Sequence, residues 1–307
     1  MTEQRVVALT GATGFIGSSL LSQLRQANYK LRILVRSPEK LPAHLTNTEV
    51  IIGDLHDLTA LEQLLQGSQY LVHCAGRVKG SRLEQFENDN VAGTQNIADI
   101  ASQNSSIKQC LYISSLSARE PNISYYAASK FKSEQLLKSN PYNQWTIIRP
   151  AAVYGPKDTE VKPLIDWMRH GLLWVPGNKE NRFSLLHVHD LSQLVINLIA
   201  AEYSQSEILE PDDGKSNGYN WLDIRNIASA YFERNIFLLP IPKTILKGVA
   251  EMNVLFSKTL KYAPMLTPEK IQELTHRNWV VDQKETIPHW SPKIDFKAGL
   301  STLYSKK

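Results

Sequence analysis

Cysteine is scarce: the 307 residues contain two, Cys74 and Cys110, each inside an apolar run. Two thiols so placed read as buried groups of a reducing compartment. They exclude a disulfide framework and are too few for a thiolate metal site. Long hydrophobic runs are missing as well. No stretch approaches the about 20 apolar residues that cross a bilayer. The opening Met1-Thr2-Glu3-Gln4-Arg5 lacks the layout of a secretory leader, so the expected location is cytoplasmic. Nor is there a block of one charge. Lys and Arg number 34 against 30 Asp and Glu, for a net charge of +4 and a pI near 8.9. So mild an excess suits small anionic ligands and argues against nucleic acid. No internal repeat or low-complexity segment is present. What remains, 42% hydrophobic and 21% charged, is a globular composition long enough for one large domain or two.

What is there is a rhythm. Short apolar runs at Val6–Leu9, Lys30–Val35, Glu49–Ile52, Gln69–His73, Lys108–Ile113 and Trp145–Ile148 read as six strands. Helical patterns at Gly17–Ala27, Leu58–Leu65, Gln85–Ala101 and Tyr125–Lys138 fall between them. Alternation of this kind specifies an α/β fold, a Rossmann-like doubly wound parallel sheet. After Arg149-Pro150 prolines and glycines become frequent. A short strand at Leu185–Val188 precedes a helix capped by Asp190 or Ser192 and running to about Ala201, and further helices follow at Trp221–Phe232 and Lys243–Lys258. The expected division is residues 1–155 as a dinucleotide-binding domain and 156–307 as a smaller, mostly helical substrate lobe, with segments around 183–210 returning to the sheet.

The first strand runs into Thr10-Gly11-Ala12-Thr13-Gly14-Phe15-Ile16-Gly17. Strand, glycine turn and helix in that order make a place for a pyrophosphate. Gly11 permits the tight turn, Gly14 admits phosphates to the backbone, and Gly17 lets helix and strand lie close. Arg36 and Ser37 follow the second strand, with Lys40 nearby and no acid at the strand end. A cation there favours a ribose 2′-phosphate, hence NADP(H) over NAD(H); the plain alternative is a solvated loop charge. Asp54, followed by Leu55, ends the third strand where a carboxylate can accept from an adenine amino group. Cys74-Ala75-Gly76 ends the fourth with small residues, as close backbone approach to a ligand requires.

Tyr126 and Lys130 stand four apart on one helix and share a face. An ammonium beside a phenol is expected to lower the phenol pKa from about 10 toward the operating pH. A phenol so poised donates a proton to a carbonyl or takes one from an alcohol. Tyr125 does not qualify, because its fourth neighbour is Ser129. Ser115, at the carboxyl end of the fifth strand, can orient the reacting oxygen, with Ser114 the second candidate. His187 and His189 lack a third ligand, so no metal is expected.

In this order the residues resemble the extended short-chain dehydrogenase/reductases, the NAD-dependent epimerase/dehydratase superfamily. The resemblance rests on Thr10–Gly17, Gly53-Asp54-Leu55, His73-Cys74-Ala75, Asn90–Asn96, Tyr112–Ser115, Tyr126-x-x-x-Lys130, Arg149-Pro150 and Val153-Tyr154-Gly155-Pro156, and more weakly on His187–Leu191 and Trp290-x-Pro292-x-x-Asp295-Phe296. It implies Ser115, Tyr126 and Lys130 as the catalytic triad, with Lys130 also on the nicotinamide ribose. It implies Asn90 as support near the site, and the segment after Pro150, through Val153, against the nicotinamide amide. The Asp-Glu pair of sugar-nucleotide dehydratases is replaced by Leu116-Ser117. The Val-Tyr-Gly of sugar-nucleotide epimerases is replaced by Ala118-Arg119-Glu120, and Arg182 stands one residue out of step with their diphosphate-holding arginine. The pattern is nearest the dihydroflavonol-reductase-like and 3β-hydroxysteroid-dehydrogenase-like branch. The expected function is an NADP(H)-dependent oxidoreductase interconverting a ketone or aldehyde and an alcohol, with an NDP-sugar epimerase holding NAD as the alternative. The family often dimerises through the helices after the fourth and fifth strands, so a homodimer is in keeping.

The segment Ile236–Leu260 suits an apolar small-molecule substrate beside the site. Packing of the small lobe is the favoured account of its Ile245, Val249, Met252, Leu255 and Phe256, over membrane contact aided by Lys243, Lys247 and Lys258.

Overall fold

The computed structural model describes residues 5–140, 145–260, 262–264, 266–282 and 287–304, apart from the side chains of Lys258 and Thr259. The first half comprises β1 (Val6–Thr10), α1 (Phe15–Gln26), β2 (Lys30–Val35), β3 (Thr48–Ile52), α2 (Leu58–Leu65), β4 (Tyr70–His73), α3 (Leu83–Phe86), α4 (Gly93–Ser102), β5 (Gln109–Ile113), α5 (Tyr125–Ser139) and β6 (Trp145–Ile148). The expected single helix over Gln85–Ala101 is instead α3 and α4 joined by a π-helical turn, Glu87–Ala92. That turn carries Asn90 inward, where its side chain is held by three hydrogen bonds described below.

The second half comprises β7 (Ala152–Tyr154), α6 (Lys162–Met168), β8 (Leu172–Pro176), β9 (Arg182–Phe183), β10 (Leu185–His187), α7 (Val188–Ala200), β11 (Ile208–Leu209), α8 (Trp221–Phe232), β12 (Phe237–Ile241), α9 (Lys243–Leu260), α10 (Pro268–Leu274), β13 (Asn278–Trp279) and α11 (Phe296–Leu303). Helix α7 begins earlier than its sequence suggests. His187 is its cap, its ring accepting from the His189 N–H, and Asp190 is spent elsewhere. The Asp190 carboxylate accepts from the Lys293 and Ile294 N–H groups at 2.8 Å, and the Asp190 carbonyl accepts from the Trp290 indole at 3.1 Å. The Trp290-x-Pro292 motif is thus the clasp that ties the C-terminal segment to α7.

Seven parallel strands stand in the order β3-β2-β1-β4-β5-β6-β11. Connections run one way from β1 through β2 to β3 and the other way from β4 onward. A crevice therefore opens at the carboxyl ends of β1 and β4, where open α/β sheets bind ligands. Both faces are covered, which is why the strands are nearly continuous apolar runs. Leu20, Leu24, Leu191, Leu194 and Leu198 of α1 and α7 fill one side; Leu61, Leu64, Ile97 and Leu137 of α2, α4 and α5 fill the other. A third core, with Ile165, Leu173, Val175, Ile224, Phe296 and Leu300, belongs to the C-terminal elements. There β12 pairs with β8, β13 with β9 and β10 with β7, all in parallel.

Candidate active site

The turn between β1 and α1 is built for backbone contact with an anion. Gly11 has φ +77°, and a Cβ on it would lie 2.7 Å from the Ala75 nitrogen. A Cβ on Gly17 would lie 1.9 Å from the Gly11 carbonyl oxygen, so helix and turn are in direct contact. Gly14 differs: its Cβ would meet only that same oxygen, at 3.3 Å, and Thr13 and Gly14 are exposed. Gly14 caps α1 without a side-chain hydrogen bond. The first-turn N–H groups of Phe15, Ile16 and Gly17 are thereby left for a ligand, which fits a dinucleotide pyrophosphate.

Thr10 holds the opposite lip. Its hydroxyl accepts from the Cys74 and Ala75 N–H groups at 3.2 and 3.1 Å. Its one proton then goes to His73 Nδ1, 2.8 Å away, which leaves Nε2–H to donate to Thr94 at 3.0 Å. His73 is wholly buried, and burial, aided by the Lys130 ammonium, drives its pKa down to about 3. It is a neutral structural imidazole. Cys74 is half-buried and Cys110 buried, and both are free thiols; burial pushes the Cys74 thiol up to about 12.

At the carboxyl end of β5 three candidate residues meet. Ser115 stands near enough to Tyr126 for its hydroxyl to favour the phenolate, and it accepts from the Ser117 N–H and hydroxyl at 3.3 and 3.0 Å. Ser114 is committed differently: it donates to the buried Glu134 at 2.5 Å, which leaves Ser115 as the serine that faces Tyr126. Lys130 is 4% exposed. Its ammonium donates to the Tyr112 hydroxyl at 2.9 Å and the Ile113 carbonyl at 2.7 Å. Burial opposes its charge, but the Tyr112 and Tyr126 hydroxyls outweigh that and raise its pKa. Lys130 therefore acts on Tyr126 through space. The sequence leads one to expect a lowered Tyr126 pKa, and the structure reverses this. Burial pushes it up to about 12, against the Lys130 charge and the Ser115 hydroxyl, with Glu273 adding to the rise. The protein alone thus keeps the Tyr126 proton on at neutral pH.

Asn90 braces the region from behind. Its amide accepts from the Arg77 N–H at 2.6 Å and donates to the Arg77 carbonyl at 3.1 Å and to Ser129 at 2.8 Å. Ser129 in turn donates to the Tyr126 carbonyl.

A model of the NAD dependent epimerase/dehydratase family matches residues 7–209, well over half of the chain. The chain belongs to that family. Among its relatives is a ceramide reductase of Caulobacter vibrioides, 30% identical over 89% of this chain and 85% of that one. A decarboxylating sterol-4-alpha-carboxylate 3-dehydrogenase of Dictyostelium discoideum is 24% identical over 97% of this chain and 99% of that one. A solved structure of a UDP-glucuronic acid 4-epimerase from Bacillus cereus, in complex with UDP-glucuronic acid and NAD, superposes with a TM-score of 0.71. It is 17% identical and covers 97% of each chain. The family uses NAD(P), and the Rossmann crevice is where such a cofactor fits.

Within that family frame the remaining candidates fall into two groups. Asp54 is exposed, one carboxylate oxygen accepting from the His56 N–H at 2.8 Å. Arg36 is exposed at the end of β2, with Ser37 beside it. Gly76, exposed, and Val153, half-buried, flank the crevice side of β4 and β7. Leu55 and Pro150, in contrast, are buried; Leu55 packs against Gly93. Arg149 is a framework residue. It holds Glu134 at 2.9 and 2.5 Å and Glu210 at 3.2 Å, and Glu210 is gripped again by Arg119. Arg182 donates to the Asn217 and Gly218 carbonyls at 2.8 and 3.3 Å.

Three contributors had no sequence signal strong enough to find them. Tyr112 anchors Lys130 from a strand that otherwise reads as apolar. Glu273, from α10, accepts from Ser124, the cap of α5, and from Lys270 at 3.1 Å. Lys270 also pairs with Glu160 at 3.6 Å and lies 6.0 Å from the Tyr126 ring centre. A cleft of about 590 Å³ opens between Gly80–Gln85 on one side and, on the other, Val254 and Ser257 of α9 with Tyr262 beyond it. Gly80 lies against Phe86, and Phe86 meets the Tyr126 ring edge-on at 6.4 Å. Among the described residues no His, Cys, Asp and Glu cluster could hold a metal ion.

Proposed function

We propose that this chain is an NADP(H)-dependent oxidoreductase interconverting a ketone and a secondary alcohol on an apolar, lipid-like substrate. The observation that carries the reading is the buried Lys130 ammonium, fixed by the Tyr112 hydroxyl and the Ile113 carbonyl at the strand end, whose charge together with the Ser115 hydroxyl acts on Tyr126. When bound, the nicotinamide supplies or accepts the hydride. The chain's own residues do the acid–base work. Ser115 holds the carbonyl oxygen, Tyr126 gives it a proton, and the Lys130 charge stabilises the phenolate left behind. A Tyr126 that keeps its proton at neutral pH fits the reducing direction. Gly11, Gly14 and the first-turn N–H groups of α1 would take the pyrophosphate, Asp54 the adenine, and Arg36 with Ser37 the 2′-phosphate.

Two observations favour a reductase over a sugar-nucleotide epimerase. Arg182 gives its Nε and Nη2 to the Asn217 and Gly218 carbonyls, which draws its guanidinium toward that loop. The cleft past Phe86 from Tyr126 has Val254, Ala263 and Pro264 on one wall, which suits an apolar portion of a substrate. The likeness to a ceramide reductase and a sterol dehydrogenase supports an apolar substrate.

The test is a titration of NADPH against NADH followed by a panel of ketones carrying apolar chains. The expected result is tighter NADPH binding and ketone-dependent oxidation of NADPH. Tyr126→Phe should abolish turnover and leave NADPH affinity unchanged. Full turnover by that variant would remove Tyr126 from the mechanism. Stoichiometric NAD retained through purification, with epimerisation and no net cofactor change, would replace the reductase reading with the epimerase one.

A further inference from the structure

Packing of the small lobe does not account for the apolar face of α9. Ile245, Val249, Met252, Leu255, Phe256 and Leu260 are all exposed, from 51% at Val249 to 70% at Leu260. The helix is fastened by its other face: Ala250 and Ser257 are buried, and Asn253 donates to the Leu266 carbonyl at 2.9 Å. Spacings of four, three, four and four from Ile245 through Val249, Met252 and Phe256 to Leu260 place these side chains on one stripe. Gly248, also on the outward side, has no atom within 4 Å of where its Cβ would be. The stripe amounts to roughly 700 Å², more than the 300–600 Å² of the largest apolar patch on a typical monomer. Lys243 and Lys247, both exposed, lie along its polar edge with Glu251; the side chain of Lys258 lies outside the described residues.

The geometry points to a membrane-surface contact: α9 lies flat on an anionic lipid bilayer, its apolar stripe among the acyl chains and Lys243 and Lys247 at the headgroups. One feature selects a bilayer as the occupant. Lys243 and Lys247, on the polar part of the exposed surface, complement anionic headgroups in a chain of net charge +4. Among the described residues no helix is long and apolar enough to cross a membrane, and the contact is therefore in-plane. The docking goes beyond the reductase reading and does not depend on it.

The experiment is sedimentation of the full chain with vesicles of phosphatidylcholine alone or with phosphatidylglycerol added. Binding is expected with the anionic vesicles, weakened by salt, and reduced roughly tenfold or more in Val249→Glu/Met252→Glu/Phe256→Glu. Lys243→Glu/Lys247→Glu should lose the anionic preference alone. An unchanged circular-dichroism spectrum and urea midpoint in each variant certify the fold. Absence of binding to either vesicle overturns the proposal. So does a dimer in solution that the triple variant converts to monomer, since the stripe is then covered by a second copy. Vesicle binding in a chain that reduces no ketone would fail the reductase reading and leave the docking standing.

Discussion

Acid should loosen this protein through His73. In the unfolded chain that imidazole titrates near 6.5; in the fold, burial and then the Lys130 charge hold it to about 3. Because the folded value is depressed, the unfolded chain takes up the proton first as pH falls. The contribution to stability is whole above about 6.5 and is lost progressively toward 3. At about 1.4 kcal/mol per pH unit, bringing the protein from pH 7.5 to 5.0 costs roughly 2 kcal/mol from this one residue. His187, lowered to about 4 chiefly by burial, works in the same direction. Asp213, raised to about 6 chiefly by burial, works against both: its contribution is whole below 3.8 and lost as pH rises through 6. The measurement that isolates His73 is therefore a difference. Urea unfolding followed by tryptophan fluorescence is run at several pH values for the wild type and for His73→Gln. Glutamine can accept from Thr10 and donate to Thr94 but cannot titrate. Between pH 6.5 and 5.0 the wild type should fall more steeply, by about one proton's worth of slope. Equal slopes would refute the buried neutral imidazole. Protonation of the folded protein, which waits until the pH nears 3, would also set a donor against the Thr10 hydroxyl that holds the Cys74 and Ala75 backbone.

Gly17→Ala forces a Cβ into the Gly11 carbonyl; a stability loss of about 1–3 kcal/mol and weakened dinucleotide binding are expected, and an unmoved urea midpoint would mean the turn is looser than drawn. Glu134→Ala strips Arg149 and Ser114 of a fully buried partner, for a loss of about 3 kcal/mol or more in urea unfolding. Arg36→Asp should reverse the NADPH preference, with NADPH affinity falling roughly 10- to 100-fold if a charged hydrogen bond worth about 1.5–3 kcal/mol is lost; parallel NADPH and NADH titrations read it directly.

The parts legible in the sequence are those whose chemistry is local. A left-handed Gly11, a glycine with no room for a Cβ, and runs of branched residues buried on both faces each leave a mark on a few neighbouring positions. Six of the seven strands of the sheet and the Tyr126–Lys130 face followed from such marks; the two-residue β11 did not, and the strand at Leu185–His187 pairs with β7 outside that sheet. What was not legible depends on tertiary neighbours. An apolar stripe at helical spacing reads the same whether it is covered or bare, so the exposure of α9 had no signature. The direction of the Tyr126 shift is set by how deeply the lobe buries it and by Glu273, which is 147 positions away in the chain. The inward turn of Asn90 needs one extra residue per turn, which periodicity over Gln85–Ala101 smooths away. Helix α5 is a mixed case: Lys130 and Glu134 are both buried on its inner side, so hydrophobic spacing fades there, while the Ser124 cap still marks its start.

Glu273 of α10 grips Ser124, on which the first turn of α5 stands, and its neighbour Lys270 overhangs Tyr126. The footing of Tyr126 is thus shared with a helix more than 140 positions further along the chain. A substitution in α10 shifts that footing and should register as a change in kcat as well as KM.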